Sequence, residues 1–212
     1  MRLNSGQTLS SEELAEVGQA LSEISVRRDR INCEILDDVY EMILILGKAN
    51  AQEHKHLVEH HLDSKDPTTV CLVMEVLCCE WGRIDDYLEQ LVNFALGVPW
   101  DGQGDVREQA LRILGVYLKG KFPVGNASAD WGGYRESPSA QDINVLGLIF
   151  QTFRDSELDD YIRQAAYISL CKAAGKQDES LPAECDVIDL YAGSSDIDWD
   201  MLDQMVAYTH LE

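Results

Sequence analysis

This sequence is short of positive charge: 17 lysines and arginines stand against 38 aspartates and glutamates, a formal net charge of −21 and an isoelectric point near 4.4. A surface of that sign repels phosphate backbones and anionic bilayers, so direct binding to nucleic acid or membrane is not expected. Long apolar runs are also missing. The best candidate, Val70 to Cys79, is interrupted by Glu75 and ends at Glu80, short of the ~18–20 residues that cross a bilayer. The opening residues, Met1 to Gly6, lack the apolar core of a secretory signal. None of the six cysteines (Cys33, Cys71, Cys78, Cys79, Cys171, Cys185) forms a Cys-x-x-Cys pair, and most lie in apolar helical runs. They read as reduced core residues of a cytoplasmic protein. A Gly-rich phosphate loop, a nucleophile elbow and a spaced catalytic triad are likewise absent, which leaves no catalytic residues and no cofactor to nominate. Leu211-Glu212 matches the scar left before an affinity tag and carries no functional weight.

What is present is helical periodicity. Ser10 and Glu13 form a capping box ahead of the stripe Leu14, Val17, Leu21 and Ile24. A second helix carries Ile35, Val39, Met42, Ile43 and Leu46 and is expected to stop at Gly47. Asn50 and Glu53 suggest the cap of a third, with Leu57, Val58, His61 and Leu62. Asp66-Pro67 begins another, running from Val70 to Trp81 and ending at Gly82. Ile84, Tyr87, Leu88, Leu91, Val92 and Ala95 mark the next.

One pattern then repeats. Val106-Arg107-x-x-Ala110-x-x-x-Leu114 matches Ile162-Arg163-x-x-Ala166-x-x-x-Leu170, and an Asp precedes each (Asp105; Asp159 and Asp160). Looser copies start at Ile35 and Val70, so the starts at 35, 70 and 106 are 35 to 36 residues apart. This resembles the second helix of a HEAT repeat. The resemblance covers roughly residues 30 to 175 and implies an all-α, HEAT-like α-solenoid of about four to five stacked helix pairs. The small Ala lets helices approach, and the Arg can pair with the Asp of an adjacent turn. A non-repeating helical bundle is the structural alternative. Residues 1–210 are expected to form a single domain.

Two segments depart from the pattern. Residues 119–140, rich in Gly and Pro, form a long loop carrying Trp131, Tyr134 and Arg135, the residue types that dominate interface hot spots. Residues 177–210 hold no Lys or Arg and form an acidic C-terminal cap with Asp186, Asp189, Asp196, Asp198, Asp200 and Asp203. Ser195 with Asp198 is expected to cap its last helix, which bears Trp199, Leu202, Met205 and Val206. Against a binding role, Trp131 can instead fold back onto a helix, and the charge can simply keep the protein in solution. Trp81, Trp100 and Trp199 fit core or helix-end positions.

Two motifs suggest metals. His56-Leu57-Val58-Glu59-His60 spells the inverted zinc-peptidase sequence. On a helical wheel, however, His54, Leu57, Val58 and His61 take the apolar stripe, so His56 and His60 face solvent. Asp196-x-Asp198-x-Asp200 opens like a calcium loop, but the positions that need Gly and Glu hold Met201 and Ala207. No metal site is therefore expected.

The reading that results is a non-catalytic acidic solenoid that binds a basic partner protein through Trp131, Tyr134, Arg135 and the C-terminal carboxylates. Small acidic HEAT-like chains of this length are similar to bacterial immunity proteins, which neutralise a cognate toxin; that resemblance implies an inhibitor that covers a basic active site. The alternatives are a HEAT-repeat adaptor or chaperone, including the phycobilisome lyase-like family, and, remotely, a zinc hydrolase using His56, Glu59 and His60. HEAT-like DNA glycosylases depend on basic concave surfaces, which this charge opposes.

Overall fold

The computed structural model describes residues 9–26, 33–124, 137–182 and 187–209, and all regular structure among them is helical. The α-helices are α1 (Ser11–Val26), α2 (Cys33–Lys48), α3 (Lys55–Glu59), α4 (Pro67–Met74), α5 (Leu88–Leu96), α6 (Asp105–Tyr117), α7 (Ala140–Arg154), α8 (Asp160–Ala173) and α9 (Trp199–Thr209). They fall into two compact units, Met1–Tyr87 with Pro99–Val106, and Leu88–Val98 with Arg107–Glu212. No helix among the described residues is long and apolar enough to cross a membrane.

In the first unit α1 begins at the expected capping box. The Ser10 amide donates to the Glu13 carboxylate at 2.8 Å, and the Glu13 amide donates back to the Ser10 hydroxyl at 3.2 Å. Of the apolar stripe on α1, Leu21 is fully buried, while Leu14, Val17 and Ile24 are half-buried. α1 packs on α2, whose Val39, Ile43 and Leu46 supply the shared core.

Gly47 does not end α2. It lies inside the helix, where a Cβ would come within 2.5 Å of a Val76 methyl, so its role is to let two segments touch. The stop is Asn50, in the left-handed region at φ 50°, followed by an Ala51 amide that donates to the Leu46 carbonyl at 3.0 Å. The next 3₁₀ turn, Gln52–His54, starts from Ala51 with no side-chain cap, so Asn50 closes one helix rather than opening another.

α4 starts as expected. Asp66 accepts the Thr69 amide at 2.8 Å, and Pro67 sits in the first turn, where no amide hydrogen is needed. Beyond Met74 the backbone widens into a π-helical turn over Glu75–Glu80, closed by the Trp81 amide on the Val76 carbonyl at 3.0 Å. Gly82, at φ 64°, then turns the chain. Trp81 is buried at this end.

In the second unit α7 and α8 form a packed pair, and α9 lies against α7. Ser139 caps α7 in a reciprocal box with Asp142. The two matching Arg positions behave alike. Arg107 Nε donates to the Ala95 carbonyl at the end of α5 (2.9 Å), and Arg163 Nε donates to the Phe153 carbonyl at the end of α7 (3.2 Å). Each guanidinium therefore satisfies a carbonyl orphaned at the C-terminus of the preceding helix. Pairing with the nearby Asp is secondary: Arg163 also meets Asp160 of its own first turn at 3.1 Å. Ala110 and Ala166 are fully buried, as are Leu114 and Leu170.

Candidate functional site

The irregular segment expected at 119–140 has its two ends tied down. After α6 the Gly120 and Phe122 amides donate to the Lys172 and Ala173 carbonyls at 2.9 and 3.0 Å, closing the last turn of α8. Phe122 is fully buried and meets Tyr208 of α9 edge-on, with ring centroids 5.3 Å apart. Lys121 lies over the Tyr117 ring at 3.7 Å and reaches Asp142 at 2.7 Å, joining the chain entering the segment to the helix that follows it. Burial alone would raise the Asp142 carboxyl. The Lys121 ammonium, the Ser139 amide and hydroxyl, and Tyr117 outweigh it and hold the carboxyl down to about 2. The expected contact residues Trp131, Tyr134 and Arg135 lie outside the described residues, as does Asp186.

The acidic carboxylates near the C-terminus divide into two groups. Asp198, not Ser195, caps α9: its carboxylate accepts the Met201 amide at 3.0 Å and meets Lys176 at 2.8 Å. Both contacts lower its pKa, Lys176 the more strongly. Ser195 is exposed and lies outside that cap because the reach to the third amide belongs to the residue directly before the helix. Asp196 accepts the Asp189 amide at 3.0 Å, and Asp189 accepts the Tyr191 amide at 3.1 Å, so these two fold their own turn. The buried Tyr167 hydroxyl links that turn to α8, donating to the Asp196 carbonyl (3.3 Å) and accepting the Asp198 amide (2.9 Å). Trp199 at the start of α9 donates to the Ser194 carbonyl at 3.1 Å. Asp200 and Asp203 point outward from α9 and are exposed. Val187 and Tyr191, 95% and 81% exposed, stand in the same segment and were not anticipated from the sequence.

His56 and His60 are both exposed, as the helical wheel requires. The helix holding them is short, and the backbone tightens into a 3₁₀ turn at His60. Glu59, the residue that would activate water in a zinc peptidase, accepts the Tyr87 hydroxyl and pairs with Lys55 at 3.3 Å. Lys55 also reaches Asp86 at 3.3 Å, and Asp86 pairs with Arg83. This is a network linking two turns of the first unit. Among the described residues no group of three or more His, Cys, Asp or Glu side chains is arranged to hold a metal ion.

No family model, curated protein or solved structure matches the chain.

Proposed function

We propose that this chain is a non-catalytic binding protein on a HEAT-like α-solenoid of four to five stacked helix pairs, acting in the cytoplasm as an immunity-type inhibitor that covers the active site of a basic toxin or enzyme. The equivalent helix-end contacts of Arg107 and Arg163 support the repeat, because two copies of one motif make one contact. The observation that carries the partner's chemistry is the charge of −21, with Asp200 and Asp203 exposed on α9. Carboxylates of this kind speed encounter with a basic surface and lose that advantage as salt rises.

The test is capture of the partner from the native cell, followed by association kinetics across a salt series and an assay of the partner's own activity. The reading expects one basic protein, an association rate that falls steeply with salt, a further fall in Asp200→Asn/Asp203→Asn, and loss of the partner's activity in the complex. Several partners held equally well at high salt would indicate an adaptor instead. Stoichiometric zinc in the purified protein, with an activity abolished by His56→Ala, would establish the hydrolase reading in its place.

A further inference from the structure

Beyond the C-terminal carboxylates, α1 and α2 enclose an open cleft of about 440 Å³. Its floor is Val17, Ala20 and Ile24 from α1 with Met42 and Ile45 from α2, and its rim is Glu13, Glu16, Asp38 and Glu41. The spacing explains why one sequence makes both walls. Positions 13, 17, 20 and 24 recur at i, i+4, i+7 and i+11, and 38, 42 and 45 at i, i+4 and i+7, so each helix turns a narrow stripe toward the cleft. The fully buried Leu21, Ile43 and Leu46 belong to the neighbouring stripe and hold the two helices together. Val17, Ile24 and Met42 remain half-buried and Ala20 exposed, so the cleft presents apolar surface that α1 and α2 do not cover themselves.

We propose that this cleft receives an amphipathic helix of a partner protein whose flanks carry lysine or arginine. The proposal rests on the reading of the chain as a binder of a basic protein and names the surface and the segment it would use. The two walls of helix form the groove into which a third helix lays an apolar stripe. The rim selects the occupant: among the described residues four carboxylates line the cleft and no Lys or Arg does, and α1 contains no basic residue along its length. A second copy of this chain would bring two such rims together, and like charges at close range oppose that pairing. A basic helix meets apolar floor and acidic rim at once.

The probe is a labelled synthetic 15-residue peptide with leucines at i, i+4, i+7 and i+11 and lysines on the flanks, read by fluorescence anisotropy and by methyl chemical shifts of Val17, Ala20, Met42 and Ile45. The controls are a scrambled peptide of the same composition and one with Gln for Lys. The patterned peptide is expected to bind and to shift those methyls, and the scrambled and Gln peptides to bind about tenfold more weakly or not at all. Ala20→Glu separates shape from charge. It fills the cleft while adding a negative charge, so seating in the groove predicts about tenfold weaker binding and charge attraction alone predicts none. Ala20 is exposed, and a thermal melt confirms that the variant folds. Failure of the patterned peptide to bind, equal binding of the scramble, an unaffected Ala20→Glu, or a wild-type dimer broken by that substitution would each overturn the proposal. If a native basic partner is captured and Ala20→Glu binds it as well as wild type does, the cleft assignment fails and the inhibitor reading stands. If no basic partner is captured, the inhibitor reading fails whatever the peptide does.

Discussion

Lys121 and Asp142 meet at 2.7 Å, joining the chain that follows α6 to the start of α7. Asp142 does two jobs at once, since the same carboxylate accepts the Ser139 amide and hydroxyl at 2.8 Å and so starts α7. Its folded pKa, held near 2, lies below the ordinary 3.8. A depressed carboxylate stabilises the fold above the ordinary value and stops doing so as pH falls through the folded one. Asp142→Asn is therefore expected to cost about 1–2 kcal/mol at neutral pH, the scale of a lost cap. Thermal melts of wild type and variant should converge between pH 4 and pH 2, a window set by those two pKa values. A gap undiminished at pH 2 would show that the ion pair is not its source.

Gly115 and Ser169 set the approach of α6 to α8. A Cβ on Gly115 would stand 2.8 Å from the Ser169 Cα, which is backbone and cannot swing aside. Gly115→Ala is expected to destabilise by about 1–3 kcal/mol through overpacking, although alanine favours helix. Ser169 donates to the Leu111 carbonyl at 2.8 Å across the same contact, and Ser169→Ala should cost about 0.5–1.5 kcal/mol. Denaturant midpoints of the two variants measure both. A neutral Gly115→Ala would mean the helices can separate without loss.

The helix-end arginines offer a test of repetition by energy. Arg107→Met and Arg163→Met each remove one bond to a helix-terminal carbonyl, and each is expected to lose about 0.5–1.5 kcal/mol. Similar losses in chemical denaturation would mark the two positions as equivalent. A large loss at one and none at the other would confine the likeness to sequence.

Thiol reactivity should follow burial. Cys79 is exposed, whereas burial, with the neighbouring Cys79 and Glu75 charges, pushes the Cys78 thiol up to about 12. Cys171 is raised to about 11, chiefly by burial. Both buried thiols therefore stay protonated at pH 8 and unreactive, because the thiolate is the nucleophile. Mass mapping after brief treatment with iodoacetamide should find Cys79 modified while Cys78 and Cys171 need denaturant. Early labelling of Cys78 would show that the π-helical turn opens.

Local signals were the legible part of this sequence. The Ser10–Glu13 box, the Asp66-Pro67 start and the outward histidines follow from spacing within one helix, and the structure has each of them. Gly47 looks like a helix stop in the sequence because its reason lies at Val76, a residue no local window contains. Ser195 looks like the cap of α9 because its three-residue spacing to Asp198 imitates a capping box, yet Asp198 makes the bond to the helix itself. The start of α7 went unread because Asp142 takes the place usually held by Glu or Gln in that box. The α1–α2 cleft was hidden for another reason. Val17, Ile24 and Met42 belong to apolar stripes and look like core, and only the partner helix decides which of them stay open.

The π-helical turn at Glu75–Glu80 has a consequence for kinship as well as for shape. A bond from residue 81 to residue 76 spans five positions where an α-helix spans four, so this turn takes up one more residue than its neighbours do. Side chains beyond it are rotated relative to any template written at even helical spacing. A descendant of an ordinary helix that gained a residue here would keep its packing before the turn and shift its lettering after it. A template begun at Val70 and kept at even helical spacing therefore loses its register within this turn.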